Sequence, residues 1–293
     1  MVGRMTDAPR RAGRREWIGL AVLMLPLLVI SMDMTVLYYA VPALSAALAP
    51  TSSELLWILD SYSFVLAGLL VTMGTLGDRV GRRRLLLIGV AGFGVASLAS
   101  AYAASAGALI AARAPLGIAG ATLMPSTMAL IRGMFHDPSQ RRTAVAVWMA
   151  VFTSGTAVGP LVSGVLLEHF WWGSVFLVNV PVMALLLVVG PILLPESRDP
   201  RPGRFDLVSV ALSMGAMLPA VYGIKKAAQD GFGWLPALSI VAGLAVGALF
   251  VHRQRLLARS AGANPMIDLG LFRHRTFGAA VLINVLAIFA LVG

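Results

Sequence analysis

The chain predicts an all-α, polytopic membrane protein, a helical bundle with about nine transmembrane helices. Three observations lead there. Hydrophobic residues make up 58% of the 293 and charged residues only 12%, about half the roughly 25% charge of a globular domain, and the mean hydropathy is +0.85. The apolar residues gather in runs that meet the ~20 residues needed to cross a bilayer. The arginines lie between those runs, almost all of them in alternate connections.

Residues 1–16 form a basic tail holding Arg4, Arg10, Arg11, Arg14 and Arg15. The first span, 17–40, is too long for the apolar core of a signal peptide, and more spans follow at once. Spans 55–76 and 85–102 flank Arg79, Arg82, Arg83 and Arg84. Spans 106–131 and 143–167 flank Arg132, Arg141 and Arg142. A sixth span, 175–194, is followed by Arg198, Arg201 and Arg204 and then by a seventh, 207–224. An eighth, 234–251, is followed by Arg253, Arg255, Arg259, Arg273 and Arg275 before a ninth, 277–292. The intervening connections carry only Lys225 and Lys226. This asymmetry places the N-terminus in the cytoplasm.

Composition excludes several function classes. The net charge of +10 comes from short arginine blocks between apolar runs, so it reads as topology and not as a nucleic-acid face. There is no cysteine, hence no thiolate metal site or disulfide framework. The phosphate loop of an ATP-driven pump is absent, as is an HExxH zinc motif. His136, His169, His252 and His274 are scattered in connections. No cofactor, metal or enzymatic chemistry is implied.

Three ionisable residues lie well inside predicted spans: Asp33, Asp60 and Arg113. Charges there are expensive and mark pathways or proton relays. At 1.5 Å per residue, Asp33 sits about 6 Å, Asp60 about 8 Å and Arg113 about 10 Å from the outer edge of the core. Similar depth allows the three to meet. A carboxylate near a guanidinium can take up and release a proton as access alternates, or it can form a static ion pair that orients helices.

The connection at 74–86 reads GTLGDRVGRRRLL. Gly74, Gly77 and Gly81 permit close packing and a tight turn, Asp78 can accept hydrogen bonds, and Arg79, Arg82 and Arg83 mark the cytoplasmic side. It resembles the signature loop of the major facilitator superfamily, G-x-L-[GA]-D-R-x-G-R-[RK]-x-x-L. Further stretches resemble the fourteen-span drug:proton antiporters of that superfamily. DMTVLYYAVP from Asp33 is similar to their first-helix element, with Tyr38 and Tyr39 around the place where Asn is usual. ARAPLGIAGA from Ala112 resembles their R-x-x-x-G-x-G-x-A element, its second glycine shifted by one. GTAVGPLVSG from Gly155 resembles the antiporter motif G-x-x-x-G-P-x-x-G-G, with Ser163 for one glycine. Gly155, Gly159 and Gly164 are expected to leave one helix face bare, and Pro160 to bend it. Phe205-Asp206-Leu207, the stretch PMIDLGLFRHRTF from Pro265, and WILDSY from Trp57 also fit that family, the last its exporters of quaternary ammonium compounds.

The resemblance implies a domain plan. Residues 17–195 are a six-helix half, 205–252 two linker helices, 253–276 a cytoplasmic loop and 277–293 the first helix of an incomplete second half. The chain then reads as an N-terminal fragment. A nine-span protein with its C-terminus outside and a transport-inactive truncated remnant are the other readings. The implied activity is export of lipophilic or cationic drugs, antiseptics and dyes driven by the proton-motive force. Protons, amphipathic cations and the bilayer are the expected partners, without nucleic acid, and the full-length protein is expected to be a monomer. A dedicated exporter of an endogenous metabolite or antibiotic is the alternative. Asp33, Asp60 and Arg113 are the implied coupling residues, and Asp78 an implied latch between halves. Tyr38, Trp57 and Tyr62 either stack on a cation or form an interfacial aromatic belt.

Overall fold

The computed structural model describes residues 11–198, 206–259, 270–271 and 274–292. Arg4 and Arg10 of the tail, Arg201 and Arg204, Phe205 and most of the 265–277 motif lie outside the described residues. The chain divides into two compact units, Met1–Pro202 and Gly203–Gly293.

The first unit holds α1 (Arg14–Leu48), α2 (Ser52–Val80), α3 (Arg82–Ala101), α4 (Ala106–Met134), α5 (Pro138–His169), α6 (Ser174–Leu177) and α7 (Asn179–Leu193). Three starts carry local caps. The Thr51 hydroxyl accepts from Glu54 N while the Glu54 carboxylate accepts from Thr51 N. Ser105 Oγ accepts from Ala108 N, and Asp137 from Gln140 N ahead of Pro138. Each cap satisfies an amide that the helix leaves unpaired. Pro26 and Pro42 in α1, Pro115 and Pro125 in α4 and Pro160 in α5 lie within continuous helix. Membrane helices tolerate this because neighbouring groups re-satisfy the freed carbonyls.

Eight helical segments among the described residues are long and apolar enough to cross a membrane. They coincide with the first eight predicted spans, and α10 (Arg275–Val292) covers the ninth. Ends differ in an informative way. α1 continues past residue 40 to Leu48, straight through Pro42. The sixth span divides at Val178 into α6 and α7, but Val178 keeps helical dihedrals and its N–H donates to Ser174 O at 3.2 Å, so the two run on as one span.

Within the first unit α1 is the most buried span and α5 among the least. α1 packs against α5 and α7, α2 against α4, and α3 against α4 and α7. α5 leaves Leu161 and Val165 exposed, the apolar exterior expected where lipid is the solvent.

In the second unit, α8 (Leu207–Asp230) and α9 (Trp234–Arg259) form an antiparallel hairpin through Gly231, whose φ of +85° suits glycine. Small residues bring the helices together: a Cβ on Gly243 would lie 2.7 Å from Ala216 O and from Ala220 Cβ. At one end Asp206 caps α8, accepting from Ser209 N at 3.1 Å, and receives a two-pronged contact from Arg253 at 2.9 and 3.1 Å. Burial pushes the Asp206 carboxyl up, but hydrogen bonds from Arg253 and Ser209 outweigh it and hold the group at about 2, below its ordinary 3.8.

A group depressed in the folded state stabilises the fold above its unfolded value and loses that contribution as pH falls through the folded one. The α8–α9 hairpin should therefore lose stability between pH 4 and pH 2. Asp206→Ala should remove about 1 kcal/mol at neutral pH and flatten that acid dependence, read by thermal unfolding in detergent.

Candidate functional site

The first unit holds a buried ion pair. Asp33 on α1 and Arg113 on α4 are each 1% exposed. Arg113 Nη1 donates to Asp33 Oδ2 at 2.7 Å, and Nε donates to the Ile58 carbonyl of α2 at 3.1 Å. The guanidinium lies over the Tyr62 ring, 4.7 Å from its centroid, with the Phe176 ring at 5.8 Å. Taking two charges out of water costs several kcal/mol per ion, so such a pair persists only with good geometry and further hydrogen bonds. The backbone carbonyl and the aromatic faces supply these for the arginine. Asp33 Oδ1 receives a longer contact, 3.5 Å, from Asn179 Nδ2 at the start of α7, which also reaches Ser97 Oγ on α3 at 3.3 Å.

The glycines of the fourth span explain how this assembles. A Cβ on Gly117 would lie 2.7 Å from Tyr62 O and 2.9 Å from Val65 Cβ, and one on Gly120 would crowd the Tyr62 ring. Their absence lets α2 close on α4 and seats Tyr62 against Arg113. The shifted second glycine of the motif is thus the one that faces the Tyr62 ring.

The aromatic candidates separate in space. Tyr62 is fully buried and stacks on Arg113, so its face meets a protein cation and is closed to a solute. Tyr38 and Tyr39 are more than half exposed, and with Thr35, Thr156 and Pro160 they line a cavity of about 380 Å³. Trp57 is partly exposed and meets the edge of Phe64 at 6.3 Å. Asp60 is buried on α2, two residues beyond Ile58.

The α5 motif packs on α1, with one correction. A Cβ on Gly155 would fall on Ser31 Oγ and 3.0 Å from Leu28 O, and one on Gly159 on Thr35 Oγ1 and 3.1 Å from Met32 O. Gly164 was expected on the same stripe, but a Cβ there meets nothing within 4 Å. Nine residues at ~100° each turn it half a revolution away from Gly155. The third member is Ser163, one helical turn from Gly159, whose hydroxyl donates to Val36 O at 3.1 Å. The residue that departs from the family motif is therefore the one that continues the seam.

At the other end of the bundle, Asp78 pairs with Arg82 across the α2–α3 turn, and the Arg82 side chain lies over Gly77. Gly81 has φ +112°, a conformation other residues rarely adopt. A Cβ on Gly74 would meet Pro125 only at an ordinary 3.7 Å, so close packing does not require glycine there. Arg79 closes α2 in its last turn. Arg83 donates to the Pro191 and Leu194 carbonyls at the end of α7 at 3.2 and 3.0 Å. Glu196 accepts from Arg83 N at 3.1 Å and sits over Gly81.

Asn179, Ser97 and Glu196 did not emerge from the sequence. Asn179 carried a usable signal, a polar side chain within the apolar run VFLVNVPVM. Glu196 carried none, because its target is a turn 113 residues away.

Comparison with known proteins fits this architecture. The sequence model of the family described as Major Facilitator Superfamily matches residues 23–293. Multidrug efflux pump LfrA of Mycolicibacterium smegmatis is 53% identical over 288 residues, covering 98% of this chain and 56% of the relative. Methyl viologen resistance protein SmvA of Salmonella typhimurium is 39% identical, covering 95% and 56%. The tetracenomycin C resistance and export protein of Streptomyces glaucescens is 34% identical, covering 95% and 51%. The chain spans about half the length of the curated relatives it matches.

Two outcomes test this geometry. Arg113→Ala leaves the Asp33 carboxylate buried without its cation and should destabilise the protein by about 3–5 kcal/mol, seen as a large fall in melting temperature and yield. Gly155→Val should cost about 1–3 kcal/mol through overpacking, whereas Gly164→Val should leave the melting temperature nearly unchanged.

Proposed function

This chain belongs to the major facilitator superfamily, and from that membership we propose that it is part of a proton-driven exporter of lipophilic or cationic drugs, antiseptics and dyes. The observation that carries the proposal is the buried Asp33–Arg113 pair. A carboxylate held this way exchanges its charge for a proton only when the helices around it rearrange, and that links protonation to access. In this reading Asp33 carries the proton, Arg113 holds the unprotonated carboxylate, and Asp60 adds negative charge that favours a cationic solute. The relatives named for multidrug efflux and for methyl viologen resistance support a broad solute range.

The cavity beside Tyr38, Tyr39, Thr35, Thr156 and Pro160 supports a place for that solute, with the tyrosine rings offering stacking faces. The small-residue seam of Gly155, Gly159 and Ser163 against α1 suits a surface that slides during alternating access. The arginine-rich ends, including Arg79, Arg82, Arg83 and Arg84, support a cytoplasmic N-terminus. Asp78 can exchange its partner Arg82 for a group in a second half as the cytoplasmic side closes. Residues 17–195 then form one transporter half, 205–252 a linker pair and 277–293 the first helix of the second half, with one copy of the full-length protein sufficing for transport. No enzymatic step is required.

A dedicated exporter of one antibiotic is the second reading, favoured by the similarity to the tetracenomycin C export protein. The lower identity, 34% against 53%, makes it the weaker one.

In cells expressing the full-length gene product, ethidium efflux should stop when a protonophore collapses the proton gradient. Asp33→Asn and Asp60→Asn should each weaken efflux by tenfold or more, about 1.4 kcal/mol or greater. Full efflux by both variants at equal expression overturns the assignment of the two carboxylates.

A further inference from the structure

Asp33 has two hydrogen-bonding side-chain partners in the structure, and they differ in kind. Arg113 carries only donors. Asn179 carries both a donor and an acceptor, and its Nδ2 spans Asp33 Oδ1 at 3.5 Å and Ser97 Oγ at 3.3 Å. The other end of the same amide is idle: Asn179 Oδ1 is buried without a hydrogen-bond partner, in a residue only 1% exposed. Buried polar atoms are rarely left this way in native structures.

We infer that Asn179 is a positioning residue for the protonated form of Asp33, its amide oxygen receiving the carboxyl hydrogen when Asp33 takes up a proton. This rests on the reading of Asp33 as the proton carrier. The ionised carboxylate needs donors, and Arg113 and the Asn179 amide nitrogen supply them. After protonation the carboxylic acid gains one O–H and needs an acceptor. Arg113 has none to offer. A half-turn of the amide about its last torsion exchanges its nitrogen and oxygen and presents Oδ1 to the new O–H. The proton comes from water on the side then open and stays on Asp33; no other bond is made or broken.

The position of Asn179 suits the role. It is the first residue of α7, directly after Val178, and its side chain is buried in the first unit. The charged and titratable groups facing Asp33 and its partner are Arg113 itself on α4 and Tyr62 on α2. α3 contributes Ser97, α6 contributes Phe176 and α7 contributes Asn179 itself, none of which titrates.

The test is infrared difference spectroscopy between acid and alkaline samples of the purified full-length gene product, read at the carboxylic C=O stretch. Asp33→Asn should delete one band, which assigns it. Asn179→Leu, similar in volume without the amide, should move that band to higher wavenumber as the carboxyl loses its acceptor, with Asn179→Ala serving where leucine is not accommodated. Asn179→Thr, which keeps an acceptor, should return it toward the parent position. Loss of the band in Asp33→Asn with an unmoved band in both Asn179→Leu and Asn179→Ala overturns the role of Asn179 and leaves the transport reading standing. Persistence of every band in Asp33→Asn overturns the proton-carrier reading itself.

Discussion

Asp33 and Arg113 meet where water does not solvate them, and much of the first unit is organised by the need to keep them together. Attraction between the charges is strong in a low-dielectric interior, but so is the penalty for bringing them there. The balance is met by groups from several helices. Ile58 gives its carbonyl, Tyr62 and Phe176 give ring faces, and Asn179 gives an amide hydrogen. Each reaches the pair because a neighbouring helix comes close, and α2 comes close because Gly117 and Gly120 have no side chains. In the proposed transport cycle a proton on Asp33 removes one of the two charges that this arrangement serves.

α1 therefore has two unlike sides. Toward α4 it is bound by a charged, directional contact. Toward α5 it meets a seam of Gly155, Gly159 and Ser163, where the attraction is chiefly van der Waals. Two hydroxyl contacts cross the seam, Thr35 to the Thr156 carbonyl and Ser163 to the Val36 carbonyl. The first contact is charged and directional, while the second consists of small residues that tolerate small displacements.

The far end of the unit is held by a third chemistry. Glu196 and the carbonyls closing α7 gather around the α2–α3 turn, where Gly81 adopts its positive φ and Arg83 reaches across. Arg83 and Glu196 are about 30% exposed, so each ion pair contributes little by itself. Their geometry nevertheless fixes the turn to the end of α7, and arginines that read as topology signals also serve as helix caps.

The sequence by itself determined the helices, because a bilayer demands ~20 apolar residues per span and that demand is written locally. It also singled out Asp33, Asp60 and Arg113, since a charge inside an apolar run is conspicuous wherever the run folds. Only the tertiary structure decided the pairing. It joined Asp33 to Arg113, turned Tyr62 from a candidate solute-stacking or interfacial aromatic into a seat for the arginine, and replaced Gly164 by Ser163 in the α5 seam. It also brought Asn179 to the carboxylate from 146 residues away. Helix formation follows from neighbours in the chain, whereas these contacts depend on how helices rotate and approach one another. That is set by small side chains on the facing helix, such as Gly117 for α2 and Gly155 for α1.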